Sequence, residues 1–343
     1  MIRRLMPLRV SFHKAVVAAA LLVLAGAAAG TSAQEEIALT ATRRVFPEAG
    51  AGVRSVKCDA AGNYYVLTGT GASVSVYDPA GKLLRKLPPG GGGATAATFG
   101  EDMDVDAKGN VYVADRGANA VRIWNADGSA RTFPVSGPFS IAALGEGEVA
   151  VATLLGPHLV TVYDTAGKVL REIGEPEDIS SHKELNRFLN IGQLARDAKN
   201  RLYYGFLYLP EPTVRVFDRL GYAGGDIQVT SLDVMPRAQA ARREIEKEEK
   251  RGEAPRPQRV LSAVGVDPAT GEAWIALENV LHRFDADGNR RGSYRIYTKQ
   301  GARLEVTTIL IEPGKMLVGN DPIGIYEFER PDRNPDGTRK FAN

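Results

Sequence analysis

The sequence is poor in cysteine and histidine, and both shortages restrict what the chain can be. Cys58 is the only cysteine among 343 residues, so no disulfide can form within the chain. It stands in an apolar position of a repeated pattern ("SVKCDAAG"), which Val105 and Val266 occupy in other copies. We therefore expect a buried structural thiol rather than a reactive one.

Few histidines are available for catalysis or metal binding. His158, His182 and His282 are the only ones beyond the N-terminal segment. His282 lies in a strand of the repeat and His182 in an insertion, so three imidazoles meeting on one zinc ion are not expected. The sequence also has no G-x-S-x-G elbow, and "PPGGGG" (88–93) lacks the Lys-Ser/Thr of a phosphate-binding loop. The usual signatures of zinc hydrolases, serine hydrolases and nucleotide binding are therefore missing.

An excess of positive charge is also missing once the N-terminal segment is set aside. The formal net charge of +2 includes four basic residues among the first 33, namely Arg3, Arg4, Arg9 and Lys14. Removing these four from the 43 Lys and Arg leaves 39 against 41 Asp and Glu, a net charge of −2. A slightly acidic mature chain gives no electrostatic reason to expect nucleic-acid binding.

The chain has one long hydrophobic run, at residues 15–30 (AVVAAALLVLAGAAAG). It follows the basic residues and precedes small residues that end at Ala33, which is the order of a signal peptide. A signal anchor is the alternative, but a run of 16 Ala-rich residues is short for about 30 Å of hydrocarbon. We predict a signal peptide at 1–33 that is cleaved before Gln34. The mature protein would be periplasmic or secreted and would have no membrane span.

A strand followed by a turn recurs along the rest of the chain. "VRIWNADGS" (121–129) returns as "VSVYDPAGK" (74–82), "VTVYDTAGK" (160–168), "VRVFDRLGY" (214–222), "LHRFDADGN" (281–289) and, shortened, "IYEFERPD" (325–332). The residue after the aromatic recurs at intervals of 47, 39, 54, 67 and 44 residues. Asx residues and glycines after the strand are typical of tight turns.

A second landmark precedes each copy and completes a structural unit. It reads "DAAGNYYVL" (59–67) in the first unit and "DAKGNVYVA" (106–114) in the second, a turn followed by a strand rich in aromatic and branched residues. Each unit then holds four short antiparallel strands. Because one such sheet cannot cover both its faces, six units of this length predict an all-β, six-bladed β-propeller.

The repeat also predicts where the blades lie. We place them near 50–88, 94–134, 135–173, 190–230, 259–297 and 302–330. Insertions at 174–190 and 232–258 interrupt the period. The first has room for a short helix starting near Ser180 or Ser181. We interpret the second as a solvated helix. The alternatives are a flap over one face of the ring and a partner-docking arm.

Closure of the ring needs one more strand, because the sixth unit lacks an outer one. We predict that the N-terminal segment 36–46 ("EIALTATRRVF") supplies this strand. The C-terminal tail 338–343 ("TRKFAN") is the rival for the same place.

The segment "DAKGNVYVADRGANAVRIWNADG" (106–128) resembles an NHL-type repeat. Over roughly residues 55–330 the chain is similar to exported bacterial six-bladed β-propellers that carry such repeats. The third unit lacks the aspartate of the first turn and the sixth lacks the glycine, so the resemblance implies the fold and not an activity. Related six-bladed folds include metal-dependent lactonases and lyases, with carboxylates, amides or several histidines at the mouth of the channel.

Polar residues in the loops around the central channel are the candidate site residues. Loops between the second and third strands give a ligand-binding rim: Arg116, Asn119, His158, Tyr208, Glu211, Asn279, Asn320 and Asp321. Loops leading into the inner strands add Asp102, Arg256, Arg259 and Arg303. Calcium accepts oxygen ligands from separate loops, and the candidate calcium ligands are Glu101, Asp115 and Glu278.

The sequence favours a binding module over an enzyme, because the ring is rigid and its loops carry no convincing catalytic set. We expect a monomeric, exported, non-catalytic propeller that holds a protein, peptide or glycan partner on one face. No cofactor is expected, with calcium as the one ion that the carboxylates could hold. The alternative is a divalent-cation-dependent lactonase- or lyase-like enzyme with its site at the channel mouth. A third option is a docking subunit of a cell-envelope complex that uses 232–258 as its arm.

Overall fold

The alternation of apolar strand residues with Asp-, Asn- and Gly-rich turns produces six antiparallel sheets. A computed structural model of the chain describes residues 37–69, 73–88, 98–154, 156–230, 234–251 and 257–331. The predicted signal peptide 1–33 and the tail 338–343 lie outside these residues. Two short strands, β1 (Ile37–Thr40) and β2 (Arg43–Val45), come first along the chain and belong to the ring closure.

The first three sheets each contain four consecutive strands in order from the inside of the ring to the outside. Blade one contains β3 (Val53–Cys58), β4 (Tyr64–Thr68), β5 (Val74–Tyr77) and β6 (Leu83–Leu87). Blade two contains β7 (Gly100–Val105), β8 (Val111–Asp115), β9 (Ala120–Trp124) and β10 (Ala130–Pro134). Blade three contains β11 (Pro138–Ala143), β12 (Glu148–Thr153), β13 (Val160–Asp164) and β14 (Val169–Ile173).

The remaining sheets repeat this order, and the sixth has three strands of its own. Blade four contains β15 (Gly192–Arg196), β16 (Leu202–Phe206), β17 (Thr213–Phe217) and β18 (Ala223–Gln228). Blade five contains β19 (Ala263–Val266), β20 (Ala273–Leu277), β21 (Val280–Phe284) and β22 (Arg290–Tyr297). Blade six contains β23 (Thr308–Glu312), β24 (Lys315–Asn320) and β25 (Gly324–Glu329).

The inner strands close into a ring. Each of β3, β7, β11, β15, β19 and β23 packs against the next, and β23 packs back against β3. This arrangement confirms the six-bladed β-propeller with four antiparallel strands per blade.

Burial between neighbouring blades holds the ring together. Six apolar clusters are found among the described residues, and each joins one blade to the next. The aromatic residue of the repeat always packs toward the preceding blade: Trp124 joins the cluster with blade one, and Phe217 the cluster with blade three. The second strands are accordingly buried on both faces, whereas outer strands such as β6 are mostly exposed. The recurring aromatic is therefore a packing residue between blades.

The N-terminal residues split between two blades. Strand β2 pairs antiparallel with β25 and occupies the outer position of the sixth sheet. Strand β1 instead pairs in parallel with β22, as a fifth strand of blade five. The prediction of one strand over 36–46 in the last blade therefore needs correction. The eight-residue β22 offers an outer edge that the sequence pattern did not reveal, and buried Ala41 lies between the two strands.

The join between β2 and β25 combines ion pairing with aromatic packing. Arg43 donates to both carboxylate oxygens of Glu327, at 3.1 and 2.9 Å. Phe46 is 7% exposed, and its ring centroid lies 5.1 Å from that of Tyr64 and 4.5 Å from that of Tyr77. The N-terminal segment thus contacts both the sixth and the first blade.

Both insertions carry a helix. Helix α1 (Lys183–Leu189) begins after His182, whose backbone N–H donates a hydrogen bond to Ser180 Oγ at 3.1 Å. Helix α2 (Met235–Arg251) buries Ile245 and Glu248, so one side of it is packed rather than solvated. No helix among the described residues is long and apolar enough to cross a membrane.

Cys58 lies near the end of β3 and is half-buried, which is less than the sequence predicted. Its thiol donates to the backbone carbonyl of Asp59 at 3.4 Å. Burial, followed by the charge of Glu312, raises the pKa of the thiol to about 12. Because the thiolate is the reactive form, Cys58 is expected to be inert near neutral pH.

A buried ionic cluster joins the end of blade six to blade five. Arg330 follows β25, is 1% exposed and donates to Asp267 and Glu272 at 2.8 Å each. Arg283 donates to the other oxygen of Glu272 at 2.8 Å. Burial alone would raise the pKa of Asp267, but the bond from Arg330 and its charge hold that pKa below its ordinary value.

The packing of Phe46 leads to a prediction about ring closure. Phe46→Ala should lower the free energy of unfolding by about 3 kcal/mol, the usual cost of removing a buried aromatic ring. Arg43→Ala in the same segment should cost less than about 1 kcal/mol, because the Arg43 side chain is 63% exposed. Urea denaturation measures both, and deletion of 34–46 should lower Tm further. Equal and small losses for all three variants would contradict closure by this segment.

The Arg330 cluster leads to a second prediction. Arg330→Met should lower the free energy of unfolding by about 3–5 kcal/mol, because it leaves the buried Asp267 carboxylate without its cation and Glu272 with Arg283 alone. Arg85→Met is the control, since Arg85 is exposed on outer strand β6 and should change stability little. A small loss for Arg330→Met would show that the cluster contributes little to holding blades five and six together.

The lowered pKa of Asp267 sets the sign of a pH effect. A folded-state pKa below the unfolded value means that the stabilisation is present above about pH 3.9. It is lost as pH falls through the folded-state pKa. We expect Asp267→Asn to be less stable than the parent at pH 7 and to lose less stability between pH 5 and 3. Chemical denaturation across that range measures the difference. A parallel loss in both proteins would contradict the assignment.

Candidate functional site

All six inner strands begin on the same face of the ring, and their first residues surround a small cavity of about 60 Å³. We call this group of residues the channel mouth. Every blade contributes to it: Arg54, Glu101, Asp102, Phe139, Ser140, Gln193, Leu207, Arg259, Ser262 and Thr307. The site exists only because the ring closes, since its members are far apart in sequence.

The acidic side of the mouth is already paired. Arg116 Nε lies 2.8 Å from Glu101 Oε1. The guanidinium groups of Arg116 and Arg54 lie 5.0 and 5.5 Å from the centroid of the Phe99 ring, within cation–π range. Glu101 is thus neutralised, and two arginines are gathered at one aromatic ring.

Asp102 is the most buried carboxyl group of the mouth. Ser140 Oγ donates to Asp102 Oδ2 at 2.5 Å, and the backbone N–H of Ile141 donates to the same oxygen at 3.3 Å. Ser140 Oγ in turn accepts from the Leu194 N–H at 2.9 Å. Burial raises the pKa of Asp102, against the lowering effect of Lys57 and of these donors. This chain of bonds links blades two, three and four.

Below the mouth an ion pair crosses the inner ring. Arg196 Nε of blade four donates to Asp104 Oδ2 of blade two at 2.8 Å. Burial alone would raise the pKa of Asp104, but the charges of Arg196 and Lys57 hold that pKa below its ordinary value. Because blades two and four are not neighbours, the pair spans blade three. Asp104 and Arg196 thus form a polar layer beneath the mouth.

The mouth offers donors that are not used within the described part of the chain. Arg54 Nε and Thr307 Oγ1 are buried atoms without a hydrogen-bond partner there. Arg259 is exposed and has no ion pair among the same residues. With Glu101 paired to Arg116, Arg54 and Arg259 make the mouth suited to a carboxylate.

Several predicted rim residues form hydrogen bonds with the backbone of neighbouring segments. Asn119 has φ 49° and accepts the Gly137 N–H at 2.9 Å. Asp321 accepts the Gly52 N–H at 3.0 Å, which fastens blade six to blade one. Asn320 is buried and donates to the Glu305 carbonyl at 2.6 Å.

The other rim residues lie over blades three to five. His158 sits between Glu172 and Glu175, at 3.2 and 3.3 Å, and lines a cavity of about 640 Å³ beside α1. The Tyr208 ring lies 4.5 Å from that of Phe188. Glu211 accepts from Arg242 Nε of α2 at 2.6 Å. Asn279 is buried in a separate cavity of blade five.

Asp115 has a structural role in the loop between blades one and two. It is fully buried, and its carboxylate accepts from Thr98 N and Oγ1, Phe99 N, Ala118 N and Arg122 Nε at 2.6–3.2 Å. Burial alone would raise its pKa, but the Arg122 bond and the backbone donors lower it. A carboxylate that accepts so many bonds has no free position for calcium.

The three candidate calcium ligands do not converge. Glu101 pairs with Arg116 and Glu278 with Arg237 of α2. No group of three or more His, Cys, Asp or Glu side chains that could hold a metal ion is found in the described ranges.

Of the residues predicted in loops leading to the inner strands, Asp102 and Arg259 do line the mouth, and so does Glu101. Arg303 lines the cavity of blade five instead, and Arg256 lies outside the described residues. Sequence reasoning missed Arg54, Phe139, Ser140, Gln193, Ser262 and Thr307. Aligning the first residue of each inner strand across the six units would have found them.

No protein-family model matches the chain, and no curated protein matches it in sequence. Among solved structures it is similar to a streptogramin B lyase, with a TM-score of 0.53, 12% identity and coverage of 82% of this chain and 94% of that chain.

Two structures of virginiamycin B lyase from Staphylococcus aureus are also similar. One is selenomethionine-substituted, with a TM-score of 0.50, 12% identity and coverage of 84% of this chain and 87% of that chain. The other is a catalytically inactive variant with quinupristin, with a TM-score of 0.52, 14% identity and coverage of 85% and 98%. At these identities the likeness shows the six-bladed propeller fold alone.

Proposed function

We propose that the mature chain is a non-catalytic, monomeric propeller that binds a protein, peptide or glycan partner at the channel mouth. The observation that carries the proposal is the composition of the mouth. All six blades contribute to it, Glu101 is paired with Arg116, and Arg54 and Arg259 remain for a partner. A carboxylate of the partner would accept hydrogen bonds from Arg54 and form an ion pair with Arg259. Such charge-assisted bonds are about twice as strong as neutral ones.

The proposal includes export and an NHL-type origin of the repeat. The order of basic, apolar and small residues in 1–33 supports a cleaved signal peptide. The segment 106–128 supports the NHL resemblance. We place the protein in the periplasm or outside the cell, without a resident cofactor and without nucleic acid as a partner.

A second candidate is a lactonase- or lyase-like enzyme that uses a divalent cation. The three lyase structures of the same fold favour it. The side chains of the mouth favour binding instead, since none of His158, His182 and His282 lines it. Turnover of lactones or of quinupristin, together with calcium-dependent thermal stabilisation, would establish the enzyme and overturn the binding module.

Binding at the mouth is tested with an array of peptides and glycans, half of which carry carboxylates and half the corresponding amides. The full mature chain should retain carboxylate-bearing members selectively. Arg54→Gln should weaken their binding about tenfold or more, the value of one hydrogen bond to a charged group. Arg259→Gln should weaken it less and reduce its salt dependence, because Arg259 is exposed.

Arg85→Gln is the matched control, since it removes the same charge from exposed strand β6 and should leave affinity unchanged. Retention of amides as well as carboxylates, or equal losses for Arg54→Gln and Arg85→Gln, would contradict a carboxylate site at the mouth.

Export is tested by N-terminal sequencing of the protein isolated from the cell envelope or medium. We expect the mature chain to begin at Gln34. A chain that retains residues 15–30 and remains in the membrane fraction would support the signal anchor instead.

A further inference from the structure

A second cavity lies beside α1, apart from the channel mouth, and we call it the α1 cavity. Its volume is about 640 Å³, within the range of about 300–1,000 Å³ that is typical of small-molecule sites. Its walls come from the loop between β12 and β13, from the segment that precedes α1, from α1 itself and from β16. The channel mouth, at about 60 Å³, shares no lining residue with it.

The floor of the α1 cavity reaches the apolar core between blades three and four. It is formed by Leu159, which is 3% exposed, and Tyr204, which is 1% exposed, and both belong to the cluster that joins these blades. Leu154 and Pro176 are half-buried and add apolar surface to the walls. The Tyr204 hydroxyl already donates to the Asn190 carbonyl at 2.6 Å. The floor is therefore suited to the apolar body of a ligand.

The rim of the α1 cavity carries charged side chains. Lys183 and Arg187 lie one turn apart on α1, both line the cavity and both are exposed. Neither forms an ion pair within the described part of the chain. Like charges at this i,i+4 spacing destabilise a helix, so a negative charge beside them would remove a repulsion. Asp178 is exposed at the same rim, and two cations with one carboxylate leave an excess of one positive charge.

Other charged groups near the rim do not pair with these cations. His158 lines the cavity, but its two ring nitrogens lie 3.2 Å from a carboxylate oxygen of Glu172 and 3.3 Å from one of Glu175. Neither glutamate lines the cavity. Glu184 lies three residues before Arg187 on α1, does not line the cavity and forms no ion pair among the residues that the structure describes. Lys183 and Arg187 thus remain available to a ligand.

The wall opposite the floor is held in place by hydrogen bonds. Asn186 Oδ1 of α1 accepts the N–H groups of Ile179 and Ser180 at 2.8 and 3.1 Å. Asn190 accepts the Glu177 N–H at 2.7 Å and donates to its carbonyl at 2.8 Å. The segment 177–180 is therefore fastened to α1, and the cavity is formed before any ligand enters it.

We propose that the α1 cavity binds a small organic anion that has one negative charge and an apolar body. The anionic group would lie at the rim and accept hydrogen bonds from Lys183 and Arg187. The apolar body would extend toward Leu159 and Tyr204, so the change from a charged rim to a buried floor would orient the ligand. The site is separate from the channel mouth and does not depend on the function proposed there.

The test is a ligand-observed NMR titration of the full mature chain with three probes that share a hexyl chain length and differ in their polar group: hexanoate, hexan-1-ol and hexylamine. We expect saturable binding that weakens in this order, because the rim favours a negative charge. Higher salt should narrow the difference between the probes, since the cations are exposed. Across butanoate, hexanoate and octanoate the affinity should rise, by about fourfold at most for each added CH₂.

Charge changes at the rim should move the affinity in opposite directions. Lys183→Gln and Arg187→Gln should each weaken hexanoate binding about two- to fivefold, as expected for one exposed ion pair. The double variant should remove the preference for hexanoate over hexan-1-ol. Asp178→Asn should strengthen hexanoate binding, because it removes a competing negative charge. Binding of hexan-1-ol should stay constant in all these variants, a split that a merely structural role would not produce.

Lys168→Gln is the matched control, since Lys168 is exposed in the turn between β13 and β14 and does not line the cavity. It should leave hexanoate binding unchanged. Absence of saturable hexanoate binding, equal affinity for the three probes, or equal losses for Lys168→Gln and Arg187→Gln would overturn the proposal. A loss after Arg54→Gln without a loss after Arg187→Gln would place the carboxylate at the channel mouth. That result would overturn the α1 site and leave the function proposed for the mouth intact.

Discussion

The structure depends on the mutual burial of neighbouring sheets. Each second strand is buried on both faces, and each of the two neighbouring blades covers only one of those faces. The repeated aromatic packs back toward the preceding blade, as Trp124 does toward blade one and Phe217 toward blade three. Every blade therefore needs a predecessor, and only a closed ring provides one for all six. The pairing of β2 with β25 completes the sheet at which the chain returns to its start.

The same constraint explains which parts of the fold were readable from sequence. The motif recurs six times because the packing between blades recurs six times, so the number of blades and the order of the strands could be predicted from the spacing alone. The division of 36–46 between two blades did not. It depends on the length of the outer edge of β22 and on the burial of Ala41. These are properties of one blade, so a repeated sequence pattern does not reveal them.

The candidate site was predicted only in part, for a geometric reason. Loops between second and third strands, such as the one carrying Asn119, are used to fasten neighbouring segments. The axis is instead reached by the first residues of the inner strands. Glu101 and Asp102 were found because they belong to that set, and Arg259 because it lies in the loop that leads to β19, whereas Arg54 and Thr307 looked like ordinary strand residues. Asp115 is a carboxylate at the predicted position, but its oxygens already accept hydrogen bonds from Arg122 and several backbone N–H groups.

Charge pairing within the chain determines which charged groups remain available on the face that carries the channel mouth. At the mouth Arg116 neutralises Glu101, and in blade five Arg237 pairs with Glu278. Arg237 and Arg242 both belong to α2, and through Glu278 and Glu211 they tie this helix to loops of blades five and four. The described helix of the insertion is therefore held on the face that carries the mouth. Because the repeat residues are committed to packing between blades, the chemistry of that face comes from inner-strand starts, loops and the inserted helix.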